Sequence, residues 1–367
     1  MKVLHSALLR YPSAGILNQM IWEKEAALEL GLNWDVKVSC PEGTTSKNSV
    51  VRFSKPITSN RTKLTQVRDW FGFRIEYYLW LKIFESNVDV FILRYSPYDP
   101  IQFAFSLMCK KPVFLIHHTL EIPELKSLHR PLSKFKIIAE QIIGKYSIRN
   151  SAAIIGVTQE IIDYEKKRID RPEKRSILYP NGVMFNRPTV DDRRGFIPEL
   201  LFVSSYFESW HGLDLLLSNV REHKQEFLLH LVGELSVADR VFAEKDKRII
   251  LHGRKNQDEI RLIADNCWLG LSSFGLFRKD MKEACSLKVR EYLMMGLPVY
   301  AGHKDTFPEN FEFYKNSELS IVKMLHFALA MRETSRELVA SAAKPYIDKV
   351  EMVRSLSNRL RTLGYDK

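Results

Sequence analysis

Short apolar runs alternate with longer amphipathic ones along this chain, and the alternation runs through twice. In the first half the apolar runs are Val3–Leu9, Trp34–Val38, Val88–Leu93, Val113–His117 and Ala152–Val157. Each has the length of a β-strand. Between them, Ile16–Leu30, Gln66–Phe84, Lys134–Tyr146 and Gln159–Lys167 have the length and pattern of helices. Strand-then-helix order implies βαβ units and a parallel sheet. Turn chemistry then interrupts at Tyr179-Pro180-Asn181-Gly182-Val183, and an Arg-, Asp- and Pro-rich linker follows over 185–198. The alternation restarts with strands Leu200–Ser204, Phe227–Val232, Ile249–Leu251, Cys267–Leu271 and Pro298–Tyr300. Helices Leu213–Glu222, Val237–Ala243, Gln257–Ala264 and Ser286–Met295 lie among these strands.

The pattern predicts an α/β protein of two Rossmann-like, doubly wound parallel-sheet domains facing a central cleft. A length of 367 residues agrees with two domains at about 150 residues each. The expected boundaries are 1–184, 185–345, and a C-terminal helix over 346–367 that packs back toward the first domain. Ligands of open α/β sheets bind beyond the carboxyl ends of the strands, so a small-molecule or nucleotide site is expected in the cleft. Fold alone does not name the reaction.

Composition removes several classes. No run of about 18 uncharged apolar residues occurs, so no transmembrane helix is expected. The N-terminus lacks the apolar core and cleavage site of a signal peptide. Cys40, Cys109, Cys267 and Cys285 form no C-x-x-C pair, which disfavours zinc and redox motifs and suits a reduced, cytoplasmic protein. The formal charge of +11 is concentrated: residues 1–185 carry 27 Lys/Arg against 18 Asp/Glu. Residues 51–83 and 126–149 hold most of the excess, and their basic residues are interleaved with aromatic and aliphatic ones. Such segments suit an anionic membrane surface or a nucleic acid. In a second reading the aromatics are core and the cations a solvated face. No helix-turn-helix, RRM, KH or zinc signature supports nucleic-acid binding.

The segment Glu283-Ala284-Cys285-Ser286-Leu287-Lys288-Val289-Arg290-Glu291-Tyr292-Leu293-Met294-Met295-Gly296-Leu297-Pro298-Val299 carries the most chemistry. It reads as loop, helix, glycine stop and strand. Backbone N–H groups at Ser286 and Leu287 open the helix and suit a diphosphate, with Lys288 as a nearby cation. Glu291, one turn in, is placed to accept hydrogen bonds from both hydroxyls of a ribose. Gly296 suits a left-handed stop.

This segment resembles the family 4 retaining glycosyltransferases of the GT-B fold, in the branch common among bacterial surface-polysaccharide enzymes. Their second domain carries two glutamates eight residues apart, then E-[YA]-[LM]-x-x-G-x-P-V. Glu283 and Glu291 match the acids, and Gly296-Leu297-Pro298-Val299 matches the end. Ala284-Cys285 departs from the usual Phe-Gly. The stretch Leu201–Leu216 resembles the first strand, loop and helix of that domain. The family's Gly-Arg and Lys-Gly there hold the diphosphate; here Ser204-Ser205 and His211-Gly212 stand instead. Ser205 and His211 are candidate donors to it, with Lys288 or Arg278 making up the charge. His211 equally suits a helix cap. Tyr179–Val183 looks like the family's P-N-G-V signature, with Asn181 either facing the cleft or serving a turn.

In the first domain, Gly15 in Tyr11-Pro12-Ser13-Ala14-Gly15-Ile16 matches the family's glycine loop. No G-x-G-x-x-G fingerprint is present, which disfavours an NAD site. His118, after Val113–Ile116, matches the histidine that the family places at the reaction centre; a buried structural histidine is the other reading. Arg94 and Tyr95 end a neighbouring strand and are candidates for acceptor contact. The resemblance implies a nucleotide-sugar donor (UDP- or GDP-sugar) and a glycan or lipid-linked acceptor of capsule, O-antigen or lipopolysaccharide type. It implies a peripheral location at the inner face of the cytoplasmic membrane. His118 and Glu283 would be catalytic, and Gly15, Ser205, His211, Ser286, Leu287, Lys288 and Glu291 would bind donor. No Asp-x-Asp triplet occurs, so no metal and no cofactor are expected. The competing enzyme class is another GT-B protein such as a nucleotide-sugar epimerase, for which the sequence shows no carboxylate pair in the first domain. The competing non-enzymatic class is a basic nucleic-acid-binding protein.

Overall fold

The computed structural model describes residues 1–10, 13–41, 49–54, 62–127 and 133–365. Two units divide the chain: Met1–Pro180 with Lys349–Lys367, and Asn181–Asp348. The first unit begins β1 (Val3–Leu8), α1 (Ala14–Glu29), β2 (Trp34–Pro41), β3 (Val51–Ser54), α2 (Lys63–Phe84), β4 (Val90–Arg94) and α3 (Pro100–Met108). It continues β5 (Val113–His117), α4 (Glu121–Ser127), α5 (Ser133–Ala139), α6 (Lys145–Asn150), β6 (Ile154–Gly156), α7 (Gln159–Ile169) and β7 (Ser176–Leu178). Its seven strands are parallel in the order β3-β2-β1-β4-β5-β6-β7.

The second unit runs β8 (Glu199–Tyr206), α8 (Leu213–Glu222), β9 (Leu228–Glu234), α9 (Val237–Ala243), β10 (Ile249–Gly253), α10 (Gln257–Ala264) and β11 (Leu269–Leu271). It ends with α11 (Leu287–Met294), β12 (Val299–Ala301), β13 (Tyr314–Asn316), α12 (Ile321–Ala330) and α13 (Arg336–Ile347). Its six strands are parallel in the order β10-β9-β8-β11-β12-β13. The last helix, α14 (Lys349–Leu360), packs on α1 within the first unit. Both sheets therefore have the doubly wound, Rossmann-like order.

The cores follow from the apolar runs. Leu4, Phe91, Leu93, Leu115 and Ile154 cluster in the first unit, and Leu200, Phe202, Leu229, Leu231, Leu269 and Leu271 in the second. Side chains cap the helices where the sequence offers them. Thr158 accepts from Ile161 N–H before α7, and Asn256 and Glu259 form a capping box at α10. Gly296, at φ +86, ends α11, and a Cβ there would strike the backbone of Arg336.

Two sequence expectations change. The single helix expected over Lys134–Tyr146 is α5 and α6 joined by a π-turn, Glu140–Gly144. The extra residue turns Glu140 inward to Tyr95, and Gly144 leaves the space, since a Cβ would strike both side chains. The strands β3, β7 and β13 span three or four residues. β6, β11 and β12 are as short but lie in continuous apolar runs, whereas β3, β7 and β13 are interrupted by polar residues and leave no strand signal.

Candidate functional site

Each sheet reverses strand order once, between β1 and β4 and between β8 and β11. In the second unit the loops after β8 and β11 meet: Phe274 N–H donates to the His211 carbonyl at 2.9 Å. Gly212 sits at φ +69 against the Gly275 backbone, closer than any side chain would allow. Helix α11 begins beyond these loops. Its N-cap, Ser286, is extended, and its hydroxyl caps no amide, lying 3.5 Å from Ser272 Oγ instead. The first-turn N–H groups of α11 are therefore left for a ligand or water.

Lys288 occupies that first turn. Its stem is half-buried, but Nζ is sealed from solvent and has no hydrogen-bond partner. The face of Phe202 lies 5.0 Å from it. Burial pulls the ammonium down to a pKa of about 7 against the attraction of Glu291. Burial pushes the Glu291 carboxyl up to about 7, opposed by Lys288 and by Gln257, whose amide lies 3.4 Å away. A cation without a hydrogen bond beside an uncapped helix start has the chemistry to receive an anionic oxygen.

His211 takes the capping role. Its Nδ1 accepts from Glu208 N–H at 2.9 Å, capping a short turn. The ring proton is thereby placed on Nε2. Burial, with Lys288 and Lys279 near, holds its pKa down at about 2, so the ring is a neutral donor. Ser205 is exposed near the end of β8, where the register with β9 shifts. Arg278 does not make up the missing charge. It pairs bidentately with Asp214 and also donates to the Ser209 carbonyl.

Glu283 forms an isolated parallel bridge with Lys304, and Ala284 N–H donates to the Lys304 carbonyl at 3.0 Å. The unusual Cys285 is buried, and its sulfur accepts from Asn181 N–H at 3.0 Å. The Asn181 amide donates to the Cys285 carbonyl at 2.6 Å. Arg290 donates to the Asn181 carbonyl and holds Asp305 bidentately. This brace shapes the loop that sets Glu283 and Ser286. Sequence reasoning missed it, as it missed Ser272 with His303 at 3.0 Å, because the partners stand far apart in the chain.

In the first unit, Gly15 is the second residue of α1, and Ser13 caps Ile16 N–H at 3.4 Å. Tyr11 and Pro12 of the glycine loop lie outside the described residues. His118 is half-buried after β5, and burial, then Arg94, hold its imidazole neutral. His117 beside it is the fully buried histidine, stacked on Tyr95 at 4.3 Å. Tyr95 is itself core, with its hydroxyl donating to Glu140 at 2.7 Å. Arg94 is half-buried, with Glu124 and Glu121 its nearest opposing charges. The sequence showed no carboxylate pair here, but Glu121 and Glu165 form one, both buried.

No family model and no curated protein matches the chain. Solved structures do. The lipopolysaccharide outer core galactosyltransferase WaaB, in its apo form, has 13% identity over 99% of each chain and a TM-score of 0.66. HepE from Anabaena, in complex with UDP, has 13% identity over 99% of this chain and 100% of that one, TM-score 0.66. The fold is GT-B. A glycosyltransferase from Rickettsia africae shares it at 12% identity over 99% of each chain, TM-score 0.66. At such identities the GT-B likeness carries the architecture, and the chemistry rests on the side chains above.

Proposed function

We propose that this GT-B protein is a metal-independent, retaining family 4 glycosyltransferase that moves a sugar from a UDP- or GDP-sugar to a lipid-linked surface glycan. One observation carries the reading: the buried, unpartnered Lys288 ammonium at the uncapped start of α11, with Glu291 one turn on. HepE, of the same fold, has been solved with UDP and with UDP-glucose. In the proposed mechanism the amides at Ser286 and Leu287, with Lys288 and His211 Nε2–H, take up charge as the diphosphate leaves. Glu291 holds the ribose, Glu283 orients the sugar hydroxyls, and His118 positions the anomeric centre. The leaving phosphate takes the acceptor proton, so no protein base is required.

Binding then needs Lys288 protonated and Glu291 ionised. Both titrate near pH 7, as a coupled pair. Above pH 7 the lysine loses the proton that the diphosphate wants; below it the glutamate gains one that the ribose does not. UDP and GDP affinity should therefore peak near neutrality and fall up to about tenfold per pH unit on the alkaline side. Calorimetric titration of Glu291→Ala should show about 30-fold or greater weakening at pH 7 and loss of the acid limb. Unchanged nucleotide binding in that variant would sink this site.

An epimerase would need carboxylates open to substrate, and the Glu121–Glu165 pair is sealed in the core. That observation favours transfer.

The acceptor side of the proposal rests on an exposed stripe. Every fourth residue of α2 from Val67 is apolar and exposed: Val67, Phe71, Ile75, Leu79 and Ile83. Phe135, Ile138, Ile142 and Tyr146 along α5 and α6 are exposed as well. The sequence pointed to aromatics here. The structure buries Phe73, Tyr77 and Tyr78 and exposes mainly aliphatics. Arg74 is committed to Asp99 at 2.9 Å and Trp70, whereas Arg68 and Lys134 face solvent. Arg61 lies outside the described residues. No described helix is long and apolar enough to cross a membrane. An amphipathic surface with peripheral cations suits an anionic leaflet. The protein should co-sediment with vesicles containing phosphatidylglycerol and not with neutral ones. Leu79→Asp with Ile83→Asp should abolish this at unchanged melting temperature; wild-type protein left in the supernatant would refute membrane contact.

A further inference from the structure

The first unit hides a cluster that the transfer reaction does not use. His117, at the end of β5, places Nδ1 2.8 Å from Glu121 Oε1 and 3.7 Å from Glu165 Oε1. The three side chains are at most 4% exposed, and their ligand atoms lie within 4.8 Å of one another. Glu121 Oε2 and Glu165 Oε1 have no hydrogen-bond partner. Around them stand Glu140 and Arg168, with Tyr95 donating to Glu140.

The charges do not balance. Glu121, Glu140 and Glu165 are three buried carboxylates against one guanidinium, Arg168. The next pair outward, Arg94 with Glu124, leaves the excess as it was. Fully ionised, they would leave two negative charges uncompensated in a dry core. Burial, and for Glu165 the facing Glu121, push both carboxyls toward protonation, so either protons or a metal ion must relieve that charge. We propose that His117, Glu121 and Glu165 bind one divalent transition cation, zinc or manganese, that locks β5, α4 and α7 together. One imidazole nitrogen and two carboxylates suit these ions. Bonds of about 2.1 Å require ligand atoms roughly 3.0–3.4 Å apart, and the observed 2.8 and 3.7 Å straddle that range.

A second group, Glu199, His230 and Cys267, is comparably close. There every ligand atom is already served: His230 bonds His252 and Glu199, and Cys267 donates to the Ile263 carbonyl. It needs no ion, and it supplies the control.

The full chain, stripped with EDTA, is loaded with Zn²⁺ or Mn²⁺, desalted and assayed by elemental analysis and thermal melting. About one ion per chain and a melting temperature raised by the ion are expected. Glu165→Gln, which keeps shape and hydrogen-bonding capacity, should lose both effects; His230→Gln should keep both. Wild-type protein that retains no ion overturns the proposal, and a Glu165→Gln protein melting at or above it then shows that the carboxylates hold protons instead. An ion kept by Glu165→Gln and lost by His230→Gln overturns it equally. Nucleotide binding by the second unit is a separate readout, and neither result depends on it.

Discussion

Lys288→Met should weaken UDP or GDP binding by roughly 30- to 150-fold while making the ligand-free protein more stable. The first effect is the loss of a charge-assisted contact, about 2–3 kcal/mol. The second follows from the cost of an ammonium whose Nζ is sealed and has no hydrogen bond. Methionine fills similar space without that cost, and about 1–2 kcal/mol of stability should return. The sign against pH follows from the depressed pKa of about 7. Below pH 7 both folded and unfolded chains carry the charge, and the penalty is full. As pH rises from 7 toward the unfolded value near 10.5, the folded lysine is already neutral and the penalty fades. The stabilisation by methionine should therefore be largest below pH 7 and vanish near 10.5. Scanning calorimetry across pH, with nucleotide titration at pH 7, checks both. A variant that binds normally, or that is less stable at pH 6, would mean that the lysine serves the fold and not a ligand.

Arg290→Met, two residues along the same helix, should do the reverse and cost the fold. Arg290 is fully buried, bidentate to a sealed Asp305, and bonded to the Asn181 carbonyl and Thr306. Truncating it strands a buried carboxylate, a loss of about 3–5 kcal/mol. The second unit should melt on the order of 10 °C lower. Arg290→Met with Asp305→Leu should recover much of this, because removing both charges leaves no orphan. If the single variant melts within about 2 °C of wild type, the pair is not the brace described. Neither arginine nor lysine spacing in α11 separates these roles; only partners do.

Much of the architecture was legible. The doubly wound series, Gly296 as a stop and the helix over Leu287–Met294 all follow from local chemistry, since period, turn residues and caps act within a few positions. The segment 185–198, read as a linker, instead belongs to the second unit, where Val190 is buried and its N–H donates to the Met295 carbonyl. The candidate site was legible as an outline: Ser286 at the N-cap and Lys288 and Glu291 in the first two turns of α11 needed no tertiary information to be grouped. The π-turn at Glu140 was not readable, because its cause is Tyr95 and Arg168, both distant in sequence. Nor was the fate of Arg278, which sequence offered to a diphosphate and which Asp214 takes.

Sequence by itself therefore determined the two parallel-sheet domains and the order of groups along α11, because these depend on contacts between near neighbours. Tertiary structure alone decided which charges are spent and which are left over. Arg290, Arg278 and Arg74 are neutralised by carboxylates brought from elsewhere, and Lys288 is not. Burial and pairing belong to the folded chain: a side chain's charge is written in its residue type, but its compensation lies in whatever the fold places beside it.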